Sequence, residues 1–175
     1  MEILETTKTV LCLDLGIKTG YCIGYDDGTI LEFGTINFAK SNPDKESVPS
    51  RLHNFVKEKI ETFFVDHVYY EELNFSTTTY ATQAHGAYAA MVIFACQVFK
   101  VSYTGVGVKV IKKALTNDGN ANKMAMMHYA KDFCEKRFKA FSLKIHDDNT
   151  ADAIGIFAYA SGAGFKFIPK KVKKR

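Results

Sequence analysis

The sequence predicts an α/β domain: a five-stranded mixed sheet, three antiparallel strands followed by parallel ones, with helices on both faces. Three observations lead there. Short apolar runs at residues 8–14, 20–25 and 30–38 are separated only by turns, which makes an antiparallel meander. Residues 65–73 form a continuous β-branched and aromatic run, the pattern of a strand covered on both sides. Segments of helical spacing then alternate with strands in the order βββ-α-β-α-β-α-α-α.

Each element has its own reason. Val10-Leu11-Cys12-Leu13 carries the first strand to Asp14, and Gly16 and Gly20 bracket the turn into the second. Asp26-Asp27-Gly28 is a hairpin turn, and alternation through 30–38 buries one face of the third strand. Ser41-Asn42-Pro43-Asp44 breaks the chain before a helix over 50–64. There Leu52, Phe55, Val56, Ile60 and Phe63 or Phe64 recur at helical spacing. The small residues of a long helix over 79–99 (Ala81, Ala84, Gly86, Ala87, Ala89, Ala90) allow close packing on the sheet or on a partner helix. A fifth strand at 101–106 precedes a short helix near 109–115, a polar loop over 116–122, a helix over 121–138 and a last helix over 148–161.

A chain of 175 residues with 47% hydrophobic content can bury one continuous core. A single domain is expected over 1–165, followed by a basic C-terminal tail over 166–175. No basic-then-apolar leader opens the sequence, and no apolar run nears the roughly 20 residues of a bilayer span. A cytoplasmic protein without membrane contact is expected. The four cysteines have no CxxC pair and no ligand-like spacing with the five histidines, so they read as reduced core thiols, with Cys12 and Cys22 facing each other on neighbouring strands. Net charge is +4, but the last ten residues carry six cations and no anion, leaving the first 165 at −2. Such a tail, Lys170 and Lys171 included, suits phosphate contact with nucleic acid.

Acidic residues at the ends of apolar strands need a reason other than packing. Asp14 ends the first strand, Glu71 ends the run His67-Val68-Tyr69-Tyr70-Glu71, and Asp152 lies just inside the last helix. Convergence on Mg2+ (or Mn2+) is such a reason: hard cations take oxygen ligands, and two of them about 3.5–4 Å apart can hold the attacking and leaving oxygens of a phosphodiester. A fourth ligand comes from Asp148 or Asn149, four and three residues before Asp152 and on its helical face. Asp148 carries the charge and is preferred, although Asp147, Asp148 and Asn149 all suit a helix N-cap. Glu72 rivals Glu71, because alternation points the two to opposite faces without saying which faces the site.

These segments, in this order, resemble the RuvC family of Holliday junction resolvases, in particular its divergent bacteriophage-type members. Leu11-Cys12-Leu13-Asp14-Leu15-Gly16 with Thr19-Gly20-Tyr21 is similar to the family's opening strand, with Cys12 and Leu15 where that pattern has Gly and Pro. Val68 to Leu73 is similar to its glutamate strand, and Ala151-Asp152-Ala153-Ile154-Gly155-Ile156 to its C-terminal helix. His85-Gly86 stands near the place of an Arg-Gly pair. The resemblance covers about residues 8–162 and supports Glu71 as the ligand. It implies a ribonuclease H-like fold, with Asp14, Glu71 and Asp152 in the catalytic metal set; the family's fourth acidic position is here shifted to Asp148 or replaced by Asn149. It also implies phosphate contact by Lys112 and Lys123, which flank Asn117-Asp118-Gly119-Asn120 at the family's spacing, with Lys123 stabilising charge in the transition state. Phe75, one residue from the family's position, is the expected branch-point aromatic.

The expected function is therefore a divalent-metal-dependent endodeoxyribonuclease that nicks branched, four-way DNA symmetrically. It would act as a homodimer and without a nucleotide cofactor, in the host cytosol if phage-encoded. A nuclease of the same superfamily acting on RNA is the nearest alternative. An actin- or sugar-kinase-like fold would use Asp14-Leu15-Gly16 and Thr19-Gly20 as a phosphate loop. It would leave Glu71 and Asp152 without a role in a chain too short for two such domains. A non-catalytic branched-DNA binder does not account for three intact carboxylates.

Overall fold

The computed structural model describes residues 7–40, 47–72, 79–137, 145 and 147–162. Phe75, Lys170 and Lys171 lie outside the described residues. The elements run β1 (Thr9–Asp14), β2 (Lys18–Tyr25), β3 (Ile30–Asn37), a 3-10 turn (Phe38–Lys40), α1 (Val48–Phe63), β4 (His67–Glu72), α2 (Thr79–Phe99), β5 (Ser102–Gly107), α3 (Val108–Thr116), α4 (Lys123–Arg137) and α5 (Asp148–Ala160). The expected succession of elements is present.

The sheet order is β3-β2-β1-β4-β5, with β1 antiparallel to β2, β2 antiparallel to β3, and β4 parallel to both β1 and β5. Cys12 stands opposite Cys22, and all four cysteines are free and buried. Side chains of β1 alternate between two cores. Val10 and Cys12 join Ile111, Met126, Phe133, Ile154 and Phe157 beneath α3, α4 and α5. Leu11 and Leu13 join Leu52, Val56, Val92 and Cys96 beneath α1 and α2. Helices thus cover both faces. β4 is less enclosed than its composition suggests, since only Val68 is fully buried. Its tyrosines lay their rings on the cores from partly exposed positions.

Local chemistry sets the helix ends. Ser47 caps α1 by accepting from the Ser50 amide at 3.3 Å, with Pro49 in the first turn, where its missing N–H costs nothing. In α2, Tyr88, Val92, Ala95 and Cys96 are buried on α1 and the sheet, whereas Ala87 and Ala90 are exposed. The small residues therefore serve both faces of the helix. No described helix is long and apolar enough to cross a membrane.

Two approaches of α5 to β2 require glycine. A β-carbon on Gly24 would lie 2.2 Å from the Thr29 carbonyl oxygen and 2.7 Å from the Phe157 ring; one on Gly20 would lie 2.0 Å from the Asn149 carbonyl oxygen. Since Gly20 pairs with Asp14 and Gly24 with Val10, α5 runs antiparallel to β1, and its N-terminus lies at the Asp14 end.

α1 ends at Phe64, a non-glycine residue in the left-handed region (φ 52°, ψ 52°) whose side chain is 83% exposed. The ring buries little, while the backbone carries a strain of about 1 kcal/mol that glycine does not. Phe64→Gly is expected to raise the melting temperature by about 2–4 °C, read by calorimetry.

Candidate active site

β1 and β4 are parallel neighbours whose last paired residues are Leu13 and Tyr70. Asp14 and Glu71 come next on each strand, so they leave the sheet side by side. Tyr69 packs on the α5-side core and Tyr70 on the other. Alternation then directs Glu71 towards α5 and Glu72, which is exposed, towards the opposite side. Asp14 has the parity of Cys12 and shares the face of Glu71.

α5 delivers the other carboxylates to that face. Asp147 is its N-cap, accepting from the Thr150 amide at 2.9 Å. Asp148 is thereby free of the capping task and sits in the first turn, with Asp152 one turn later. The Asn149 side chain is spent on a hydrogen bond to Asp147.

The electrostatics record how closely the acids gather. Burial pushes the Asp14 carboxyl from 3.8 to about 8, reinforced by the negative charges of Glu71, Asp152, Asp148 and Asp147. Burial and Asp152 raise Glu71 to about 7, against the pull of Lys112. Asp152 rises to about 6 through burial and Asp148, opposed by Lys112 and Lys123. Asp148 moves the other way because the Lys123 ammonium is bonded to its Oδ2. A site whose carboxylates resist ionisation in the bare protein has the electrostatic character of a cation-binding or catalytic site.

Glu71, Asp152, Lys112 and Lys123 line a cleft of about 200 Å3 over a floor of Val108, Ile111 and Met126. The two lysines come from α3 and α4, and the turn between those helices is tightly tied. Asn117 takes the left-handed cap of α3, the Thr116 hydroxyl donates to the carbonyls of Lys112 (2.8 Å) and Asp118 (3.0 Å), and Asn122 caps α4 at the Ala125 amide (2.9 Å). The two lysines singled out through the family resemblance thus both line this cleft. Sequence reading missed Thr35, whose hydroxyl donates to Asp147 Oδ1 at 2.7 Å. A threonine on an edge strand carries no signal of a partner more than a hundred residues away.

The donor set, carboxylates from β1, β4 and α5, suits a hard divalent cation. Among the described residues, no three His, Cys, Asp or Glu side chains form a ready-made cage around a single point. That is compatible with ions that take one or two carboxylates each and complete their shells with water and phosphate oxygens. It is not the arrangement of a closed structural metal site.

No protein-family model matches the sequence, and no curated protein matches it. Solved structures do. RuvC of Thermus thermophilus superposes with a TM-score of 0.68 at 19% identity, covering 90% of this chain and 96% of that one. The same protein in complex with a Holliday junction substrate gives 0.71 at 21% identity, covering 91% and 96%. The yeast mitochondrial Holliday junction resolvase Ydc2 gives 0.61 at 14% identity, covering 91% and 80%. With the sheet order and the helices on both faces, these likenesses establish that the chain has the ribonuclease H-like fold of the RuvC resolvases.

Proposed function

We propose that this protein is a divalent-metal-dependent endonuclease that resolves four-way DNA junctions by paired symmetrical nicks. The observation that carries the reading is the coupling of Asp14, Glu71, Asp152 and Asp148 at the end of the sheet where β1 and β4 terminate, with Lys112 and Lys123 on the lips of the cleft. That arrangement sits on a fold shared with proteins named as Holliday junction resolvases, one of them solved on a junction.

In this reading Asp14, Glu71 and Asp152 hold Mg2+ or Mn2+, with Asp148 as the fourth carboxylate. When bound, the ions supply Lewis-acid activation of water and neutralise charge at the departing 3′-oxygen. Lys112, facing Glu71 and Asp152, holds a non-bridging phosphate oxygen. Lys123 exchanges Asp148 for the phosphate when DNA enters; its ammonium is exposed and water screens the pair, so the exchange costs little.

A junction has two-fold pseudosymmetry, so two equivalent cuts call for a two-fold homodimer. α2 offers the surface. Tyr80 (82% exposed), Ala87, Ala90, Phe94 (53%) and Val98 (56%) form an outward stripe at helical spacing, small in the middle and apolar throughout.

Asp14→Asn and Asp152→Asn are each expected to lower cleavage of a labelled junction about 10²–10³-fold while leaving junction binding intact. Cleavage at the normal rate by either variant refutes the site. Incubation of a four-way junction, a Y-fork and an RNA–DNA hybrid with Mg2+ is expected to give paired nicks in the junction alone; preferential cutting of the hybrid would favour an RNA-directed enzyme.

The raised carboxyls give a second test. Without metal, ionising Asp14, Glu71 and Asp152 costs more in the folded chain than in the unfolded one. The folded state therefore holds the extra protons, and stability falls as pH rises from about 4 to about 8. Thermal melts are expected to show this decline in chelator and a much flatter profile in Mg2+. Asp14→Asn is expected to flatten the chelator profile by itself.

Ala90→Arg places a charge on the exposed stripe of α2. Analytical ultracentrifugation is expected to show a folded monomer whose cuts at the two junction strands are uncoordinated. A persistent dimer would exclude this face.

A further inference from the structure

The metal-binding reading leaves open how the first two turns of α5, which bear two of the four carboxylates, are held in register with Asp14. Asp14 pairs with Gly20 across β1 and β2, and Gly20 pairs with Thr35 across β2 and β3. These three residues make one row on the face that α5 covers. The Asn149 carbonyl rests directly on Gly20, at the middle of the row. At its far end the Thr35 hydroxyl donates to Asp147 Oδ1 at 2.7 Å and lies 2.8 Å from the Thr150 hydroxyl. Thr150 in turn donates its amide to Asp147 Oδ1 (2.9 Å) and its hydroxyl to Asp147 Oδ2 (3.1 Å).

Helix geometry gives this network a direction. Thr150 lies midway in sequence between Asp148 and Asp152, so at 3.6 residues per turn it projects from the opposite flank of α5. Whatever holds Thr150 towards β3 turns Asp148 and Asp152 towards β1 and β4. Thr150 is 3% exposed while Thr35 and Asp147 are half-buried, so the network is shielded from water at its Thr150 end. The choice of cap also needs explaining. Asn or Ser would cap the helix without adding a negative charge near Asp14. Asp147 instead caps it while gathering donors from Thr35, Thr150 and Asn149.

We infer that Thr35 and Asp147 are positioning residues: a hydrogen-bonded latch between the edge strand and the N-cap of α5 that fixes the axial rotation of the helix and aims Asp148 and Asp152 at the Asp14–Glu71 pair. Neither residue touches the reacting phosphate. Their effect on catalysis runs through the carboxylates, and so rests on the metal-dependent reading above.

The test compares Thr35→Val, which keeps the shape and removes the hydroxyl, with Thr35→Ser, which keeps the hydroxyl. In Thr35→Val the amides of residues 150–153 are expected to exchange hydrogen about tenfold faster, as the net loss of one shielded hydrogen bond predicts, with core strands unchanged. Mg2+ affinity by calorimetry is expected to fall about tenfold. The single-turnover cleavage rate should fall with it, at unchanged junction affinity, and Thr35→Ser should restore all three. Unaltered exchange in Thr35→Val overturns the latch, as does a Thr35→Ser variant indistinguishable from Thr35→Val. Hydrogen exchange needs neither metal nor DNA. A wild-type protein that cuts no branched DNA but shows the exchange effect would reject the nuclease reading and retain the latch.

Discussion

The burial of several acids in one place is the constraint around which this molecule is arranged. Dehydration first, and neighbouring negative charge second, raise Asp14, Glu71 and Asp152 to about 8, 7 and 6, a cost that packing alone would never select. Lysines at the cleft mouth offset part of it, and Lys123 reduces the charge that Asp148 presents to its neighbours. On the proposed metal-dependent reading, the remainder is the thermodynamic drive to recruit a doubly charged ion, because ligands that resist ionisation alone ionise readily beside one.

Packing explains how a small chain tolerates such a site. The two cores on either side of the sheet are dry and continuous, and together they hold β1 and β4 in place to their last paired residues. The strand ends that bear charge project beyond those cores. α5 crosses β2 at two glycines, and because no β-carbon intervenes at Gly20 its first turn comes close enough to share a field with Asp14. On the far side of the sheet, Lys59 bonds Glu32 at 2.7 Å among the rings of Tyr21, Phe55 and Phe63, which fastens the edge strand to α1. The edge that supports Thr35 is thus anchored from both faces.

Much of this was legible in the residue order, for physical reasons that differ by element. Apolar periodicity found every strand and helix among the described residues, because burial on two faces leaves a clear period. Asp14 and Glu71 stood out because charge at the end of an apolar strand is costly, and Asp152 through the likeness of its helix to the family's. The choice of Glu71 over Glu72 was not legible from alternation, since a strand with aromatic residues on both faces has no polar side to orient it; the partners of Tyr69 and Tyr70 supplied the answer. Which of Asp147, Asp148 and Asn149 caps the helix was not legible either, as all three make good caps and only the backbone at residue 147 decides. The network through Thr35 was invisible because it depends on strand register across three strands. The proposed wedge Phe75 and the tail lysines fall outside the described residues.

The direction of α5 sets its two ends at opposite ends of β1. Its thirteen residues make a rod of about 20 Å, starting at the acidic cleft and ending beside Tyr69, where Tyr159 meets that ring edge-on at 6.2 Å. Gly162 therefore hands the chain on from the pole of the domain opposite the chemistry. With about 20 Å of helix between them, a change at the Gly162 end leaves the carboxylates at the start of α5 undisturbed.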